Sequence, residues 1–187
     1  MNRNLVRALV AAAAFGLAGM AGAQTVRIAT SEGDVLIKLD AEKAPKTVAN
    51  FLAYVKTGQY AGTIFHRVMP GFMIQGGGYT ANLSEKPTRP PIPLESANGL
   101  KNRRGTIAMA RTAAPDSATA QFFINLKDNG FLDANGSPRP NGYAVFGQVI
   151  QGMDVVDKIA AVRTEALGPH EAVPVTPVTI KQVTVEK

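Results

Sequence analysis

The sequence predicts a mainly β domain in which many short strands form a closed or nearly closed antiparallel sheet with two helices at its ends. Three observations point there. Short runs alternate apolar and polar side chains, as in Val26 and Ile28 and then Val35, Ile37 and Leu39. Only two stretches, near 45–58 and 153–162, carry apolar residues at helical spacing. The connections between these runs are long and rich in Pro, Gly and Asn, and no internal repeat is present. Alternation alone leaves barrel and sandwich equally open.

The chain opens with Asn2, Arg3 and Arg7, runs through ALVAAAAFGLAGM and reaches Ala21-Gly22-Ala23 before Gln24. A basic start, an apolar run and small residues at the minus-three and minus-one positions predict a secretory signal peptide over residues 1–23, cut after Ala23. That run is too short to span a bilayer comfortably, and no later one approaches about 18 apolar residues. The expectation is therefore one exported domain, 24–187, with no membrane anchor and a periplasmic endpoint, because no lipobox cysteine follows the leader.

Within that domain Val26–Ala29 and Val35–Leu39, separated by the turn residues Ser31–Asp34, read as a hairpin. Pro45 suits a first helical turn, and Val48, Phe51, Leu52 and Val55 make one apolar face before Gly58 ends the helix. In Phe65–Gly78, Pro70-Gly71 suits a type II turn between two short strands. Alternation puts Phe65 and Arg67 on one face with Met73 and Gln75 opposite, and His66 on the other face as a core histidine. Tyr79–Lys101 holds Pro87, Pro90, Pro91 and Pro93 and reads as irregular. Gly105–Arg111 and Gln121–Asn125 are expected strands, with Gln121 and Phe123 sharing a face. Lys127–Gly142 is a polar loop whose Phe131 and Leu132 must pack down on something. A strand over Tyr143–Val149, a helix over Met153–Val162 and a last strand over Val178–Val185 complete the chain. The apolar phase of that last strand slips between Ile180 and Val183, which predicts a bulge.

Composition removes several function classes. The chain has no cysteine, so thiol catalysis and cysteine metal sites are out. Its two histidines, His66 and His170, form no HExxH pattern, so no metal site is expected. No GxSxG elbow is present, and the glycines at 76–78 lack the lysine and helix of a phosphate loop. The net charge of +6 includes Arg3 and Arg7 of the leader, and no basic stripe suggests nucleic acid. Lys101, Arg103, Arg104 and Arg111 read as a solvated loop and strand end. Arginine, amides and apolar rings remain, a set that suits rotation about a peptide bond to proline, which needs neither nucleophile nor proton transfer.

In order, FHRVMPGFMIQGGG, GTIAMAR, QFFINL, FLD and YAVFGQV resemble the cyclophilin family of peptidyl-prolyl isomerases, its bacterial exported branch in particular. The resemblance spans about residues 25–186. It implies a closed eight-stranded antiparallel barrel capped by two helices, with the site in a groove on the outer wall and no cofactor. Arg67 matches the family's catalytic arginine. Phe72, Met73, Phe123 and Leu132 match the wall of its proline pocket, and Gln75, Gln121 and the backbone of Ala110 and Arg111 match the groove that holds the substrate backbone. Phe131 stands where many eukaryotic members carry tryptophan, which implies weak cyclosporin binding. Tyr143 and Arg111, at the pocket rim, replace a common histidine and asparagine. The implied partners are unfolded or newly exported polypeptides with X-Pro bonds, met by a monomer. The rival reading is a proline-peptide binding module or chaperone with little turnover. A third, a barrel holding a small ligand inside, conflicts with bulky inward candidates such as Ile28, Ile37, Phe51 and Phe146.

Overall fold

The computed structural model describes residues 24–135 and 141–186, so the leader expected at 1–23 lies outside the described residues. Strands β1 (Thr25–Thr30) and β2 (Asp34–Leu39) form the first hairpin, and helix α1 (Pro45–Lys56) follows. β3 (Thr63–Ile64), β4 (Arg67–Met69) and β5 (Met73–Gly76) come next, then β6 (Thr106–Met109), β7 (Phe122–Asn125) and β8 (Val145–Gln151). Helix α2 (Met153–Ala160), the small hairpin β9 (Thr164–Leu167) and β10 (His170–Pro174), and β11 (Thr179–Val185) finish the chain.

Nine strands share one antiparallel sheet in the order β3-β11-β1-β2-β8-β6-β7-β5-β4. Its two edges, β3 and β4, are successive pieces of a single chain passage broken at Phe65 and His66, so eight passages build the sheet. The sheet therefore curls into a half-barrel whose two edges are linked by the chain at Phe65 and His66. Closure runs through the chain itself, because no ladder joins β3 to β4 among the described residues. The expected closed barrel is in this sense an incompletely hydrogen-bonded one. The bulge expected in the last strand is present: Ala29 faces Gln182 while Thr30 faces Ile180, which leaves Lys181 as the extra residue.

Inside the curl, Phe51 of α1 meets Tyr60, Phe146 and Phe122 at ring-centroid distances of 5.1, 5.3 and 5.8 Å. All four rings are fully or almost fully buried, and each such side chain contributes roughly 1.5–3 kcal/mol. The filled interior excludes an internal ligand cavity there. The first turn of α1 lacks a side-chain cap from Ala44. Glu95, from the proline-rich loop, supplies it by accepting bonds from the Lys46 and Thr47 amides at 3.1 and 2.8 Å. On α2, Val156 and Ile159 are buried against the same core, with Val155 half-buried beside them.

Strands β5, β6 and β7 bury side chains on both faces, which gives the sheet a second, smaller core on its outer wall. Ile74, Ile107, Phe122 and Ile124 point into the barrel. Met73, Ala108, Phe123 and Val145 cluster outside it with Leu132. An outer wall that is itself apolar is the platform for the site.

Candidate active site

The β4–β5 hairpin turns at Pro70-Gly71, with Gly71 at φ +69° and the Phe72 amide donating to Met69 O at 3.0 Å. A positive φ at the third turn position is what a type II turn requires, and glycine adopts it without strain. The turn sets the register Arg67↔Gln75, and the neighbouring ladders continue it through Phe123 and Ala108 to Val145. Residues opposite one another on paired strands share a face. A cation, an amide and an aromatic ring thus stand in one row across the outer wall.

A cavity of about 140 Å³ opens beside this row, lined by Arg67, Phe72, Met73, Gln75, Ala110, Arg111, Phe123, Leu132 and Tyr143. Nine of the eleven residues singled out in the sequence are therefore brought together. Gln121, the tenth, holds Gln75 through a 2.9 Å bond from Gln75 Nε2 to Gln121 Oε1 and lines an adjoining cavity. Phe131, the eleventh, is 42% exposed and stacks on Phe72 at 5.7 Å from outside the cavity. Phe72 reaches the cavity although it alternates out of phase with Met73, because it belongs to the turn rather than to β5.

Leu132 and Phe131 sit on a single 3₁₀ turn, Gly130–Leu132, inside the loop. That turn is fixed from below by a buried amide chain that sequence reasoning missed. Asn129 Nδ2 donates to Phe72 O at 3.0 Å and to Asn125 Oδ1 at 2.8 Å, and Asn125 Nδ2 donates to Asn102 Oδ1 and Thr106 Oγ1. Asn102 Nδ2 in turn donates to Leu132 O at 3.1 Å and to Asp133 Oδ1. Two walls of the cavity, Phe72 and Leu132, hang from one network. A hint lay in the sequence: Asn125 alternates with Phe123 on a strand that is otherwise apolar.

The rim is tied as well. Arg111 donates from Nε to Gly142 O at 2.9 Å, and its guanidinium lies 4.8 Å over the Tyr143 ring. Tyr143 meets Phe123 edge-on at 5.5 Å. Arg104, read as solvated, forks onto Asp157 at 3.0 and 2.8 Å.

One sequence expectation fails here. The break between β3 and β4 interrupts alternation, so Phe65 turns into the core while His66 joins Arg67 in lining the adjoining cavity of about 320 Å³. His66 is buried, and its Nδ1 has no hydrogen-bond partner among the described residues. Burial, with His170 and Arg67 nearby, lowers its pKa from 6.5 to about 4. It is neutral at pH 7. The other cavity walls are Gln75, Tyr79, Gln121, Pro169, His170 and Glu171. Gly78 makes room for Gln121, since a Cβ there would lie 2.5 Å from Gln121 Cγ. The 76–78 glycines serve close packing.

Arg67 itself is one-third exposed at 33%, and its nearest acid is Glu171, 3.7 Å from Nη2. Among the described residues its guanidinium makes no side-chain hydrogen bond, and Arg67 lines both cavities.

Residues 25–185 match the family model described as cyclophilin type peptidyl-prolyl cis-trans isomerase/CLD. The chain belongs to the cyclophilin family. Peptidyl-prolyl cis-trans isomerase B of Escherichia coli (strain K12) is 55% identical over 159 residues, 84% of this chain and 97% of the relative. Peptidyl-prolyl cis-trans isomerase A of Dickeya dadantii (strain 3937) is 53% identical over 162 residues, 87% and 84% of the two chains. Among solved structures, a cyclophilin type peptidyl-prolyl cis-trans isomerase of Cryptosporidium parvum superposes with a TM-score of 0.73 at 28% identity, covering 88% of this chain and 99% of its own. The activity of this cyclophilin is accordingly peptidyl-prolyl cis-trans isomerisation, for which the family needs no cofactor.

Proposed function

We propose that Arg67 is the electrostatic catalyst of this isomerase and that the cavity lined by Phe72, Met73, Phe123 and Leu132 holds the proline ring. The observation that carries the assignment is the cross-strand row that sets a guanidinium, paired only loosely with Glu171, at the mouth of a pocket walled by Phe72, Met73, Phe123 and Leu132. Amide resonance gives the X-Pro bond a barrier of about 18–20 kcal/mol. Halfway through rotation the nitrogen regains its lone pair and loses conjugation. A donor aimed at it stabilises the twisted form more than either planar isomer, which is the condition for catalysis. The apolar pocket anchors the ring while the acyl side turns. Gln75, held by Gln121, and the backbone of Ala110 and Arg111 position the rest of the peptide. Phe131 and Tyr143 shape the rim.

The proposed substrates are X-Pro bonds in unfolded or newly exported polypeptides. A cyclophilin from Cryptosporidium parvum was crystallised in the presence of the dipeptide Ala-Pro, which supports a proline ligand for this groove too. The leader over residues 1–23, with cleavage after Ala23 and a periplasmic endpoint for the domain 24–187, rests on the basic start and apolar run of the sequence. No described helix is long and apolar enough to cross a membrane. All the groove residues come from one chain, so a monomer suffices, and Phe131 in place of an indole implies weak cyclosporin binding. Two-dimensional exchange NMR on an X-Pro peptide tests the assignment. Acceleration by the intact protein that is lost in Arg67→Ala is expected, and undiminished acceleration in the variant would remove Arg67 from the mechanism.

A further inference from the structure

We infer that the cavity of about 320 Å³ beneath the β9–β10 hairpin is a second substrate subsite, which takes a basic side chain flanking the X-Pro bond and uses Glu171 as its anionic partner. The inference rests on the proline-pocket reading above, because the two cavities share Arg67 and Gln75. A peptide with its proline in the first cavity has a neighbouring residue within reach of the second, since Arg67 and Gln75 border both.

Charge decides what that residue is. Among the described residues Glu171 is the only carboxylate lining the cavity, and its side chain is 78% exposed. Its contact with Arg67, at 3.7 Å, is longer than a hydrogen bond. His66 is buried and neutral, so Arg67 is the one permanent cation among the described walls of the cavity. An exposed carboxylate with one loose partner can accept a second cation. An incoming ammonium or guanidinium would draw Glu171 to itself and leave the Arg67 N–H groups to the amide.

Backbone strain supports the same assignment independently. His170 pairs with Leu167 but Val173 with Glu165, so Glu171 and Ala172 form a bulge in β10. Ala172 stands at φ +53°, a left-handed conformation that L-residues other than glycine seldom adopt. Strain of this kind concentrates where a side chain must be aimed. The bulge lies on the strand that packs against β4, and the residue beside the strained one is Glu171.

The test is exchange NMR on peptides with a central Ala-Pro bond, in which each flanking position in turn is Lys, Gln or Glu. At one position kcat/KM for the Lys peptide should exceed that for the Glu peptide by about two- to fivefold, the size of a partly exposed ion pair, and the ratio should shrink in high salt. The ratio should fall to about one in Glu171→Gln and invert in Glu171→Lys. It should persist in Glu165→Gln, which removes a charge from the neighbouring strand. A Lys-to-Glu ratio near one at every position in the unsubstituted protein, or a ratio that survives Glu171→Gln, overturns the subsite. Acceleration of no peptide at all would instead overturn the isomerase reading itself, and the subsite with it.

Discussion

The proline pocket and the cavity under the β9–β10 hairpin share Arg67 and Gln75 but are held in opposite ways. The pocket is walled mainly by apolar side chains, stands on β5, β6 and β7 and hangs from a buried chain of asparagines. Its neighbour is polar, is roofed by a two-stranded hairpin outside the main sheet, and depends on a strained bulge and a loose ion pair. A rigid pocket can fix the ring about which rotation occurs, whereas a lightly held rim can adapt to variable flanking residues. The difference separates what the chemistry needs from what recognition can vary.

Breaking the rigid side should cost most. Asn125→Ala leaves the Asn102 oxygen and the Thr106 hydroxyl short of a buried partner, and each such group costs about 1–3 kcal/mol. We expect a loss of about 3–4 kcal/mol in urea unfolding, together with a raised KM as Phe72 and Leu132 loosen. A destabilised protein with unchanged KM would detach the network from the pocket.

Acid acts on the shared edge. The fold holds His66 at about 4 against 6.5 when exposed, so between those values the unfolded chain binds more protons. The stabilisation is complete above pH 6.5 and is lost as pH falls through about 4. The shift corresponds to about 3 kcal/mol at most. His66→Phe should flatten the fall in stability between pH 6.5 and 4, and an equally steep fall in the variant would assign it to other groups.

The smallest effect belongs to the bulge. Ala172→Gly relieves a left-handed alanine at some entropic cost in the unfolded chain, for a net gain of about 0.5 kcal/mol. A rise of a degree or two in Tm would show it, and a fall would mean that the alanine methyl makes contacts worth more than its strain.

Much of the fold was legible because alternation and turn chemistry agree. Pro70-Gly71, the paired periodicities of β1 and β2, and the slipped phase of β11 each appear in the structure where the residues placed them. The row Arg67–Gln75–Phe123 follows from the same alternation, although nothing local revealed that β5 and β7 would be neighbours. His66 was misplaced because a two-residue break between β3 and β4 is invisible to a period-two pattern. The β9–β10 hairpin was overlooked because β9 is largely exposed and β10 buries only Val173 and Pro174, too short a run to show a period. A Gly168-Pro169 turn was the only local signal there. The asparagine network escaped notice because its members are scattered over Asn102, Asn125 and Asn129 and meet only in three dimensions.

The most direct test of the division between anchoring and catalysis compares Arg67→Ala with Phe123→Ala on one labelled X-Pro peptide, with exchange rate and dissociation constant measured together. The account predicts that Arg67→Ala lowers the bound exchange rate by about 10²–10³-fold while the peptide still binds, the usual scale for one removed transition-state donor. Phe123→Ala should chiefly weaken binding. Equal losses of binding and exchange in Arg67→Ala would contradict it, because Arg67 would then hold the ground state as firmly as the twisted amide.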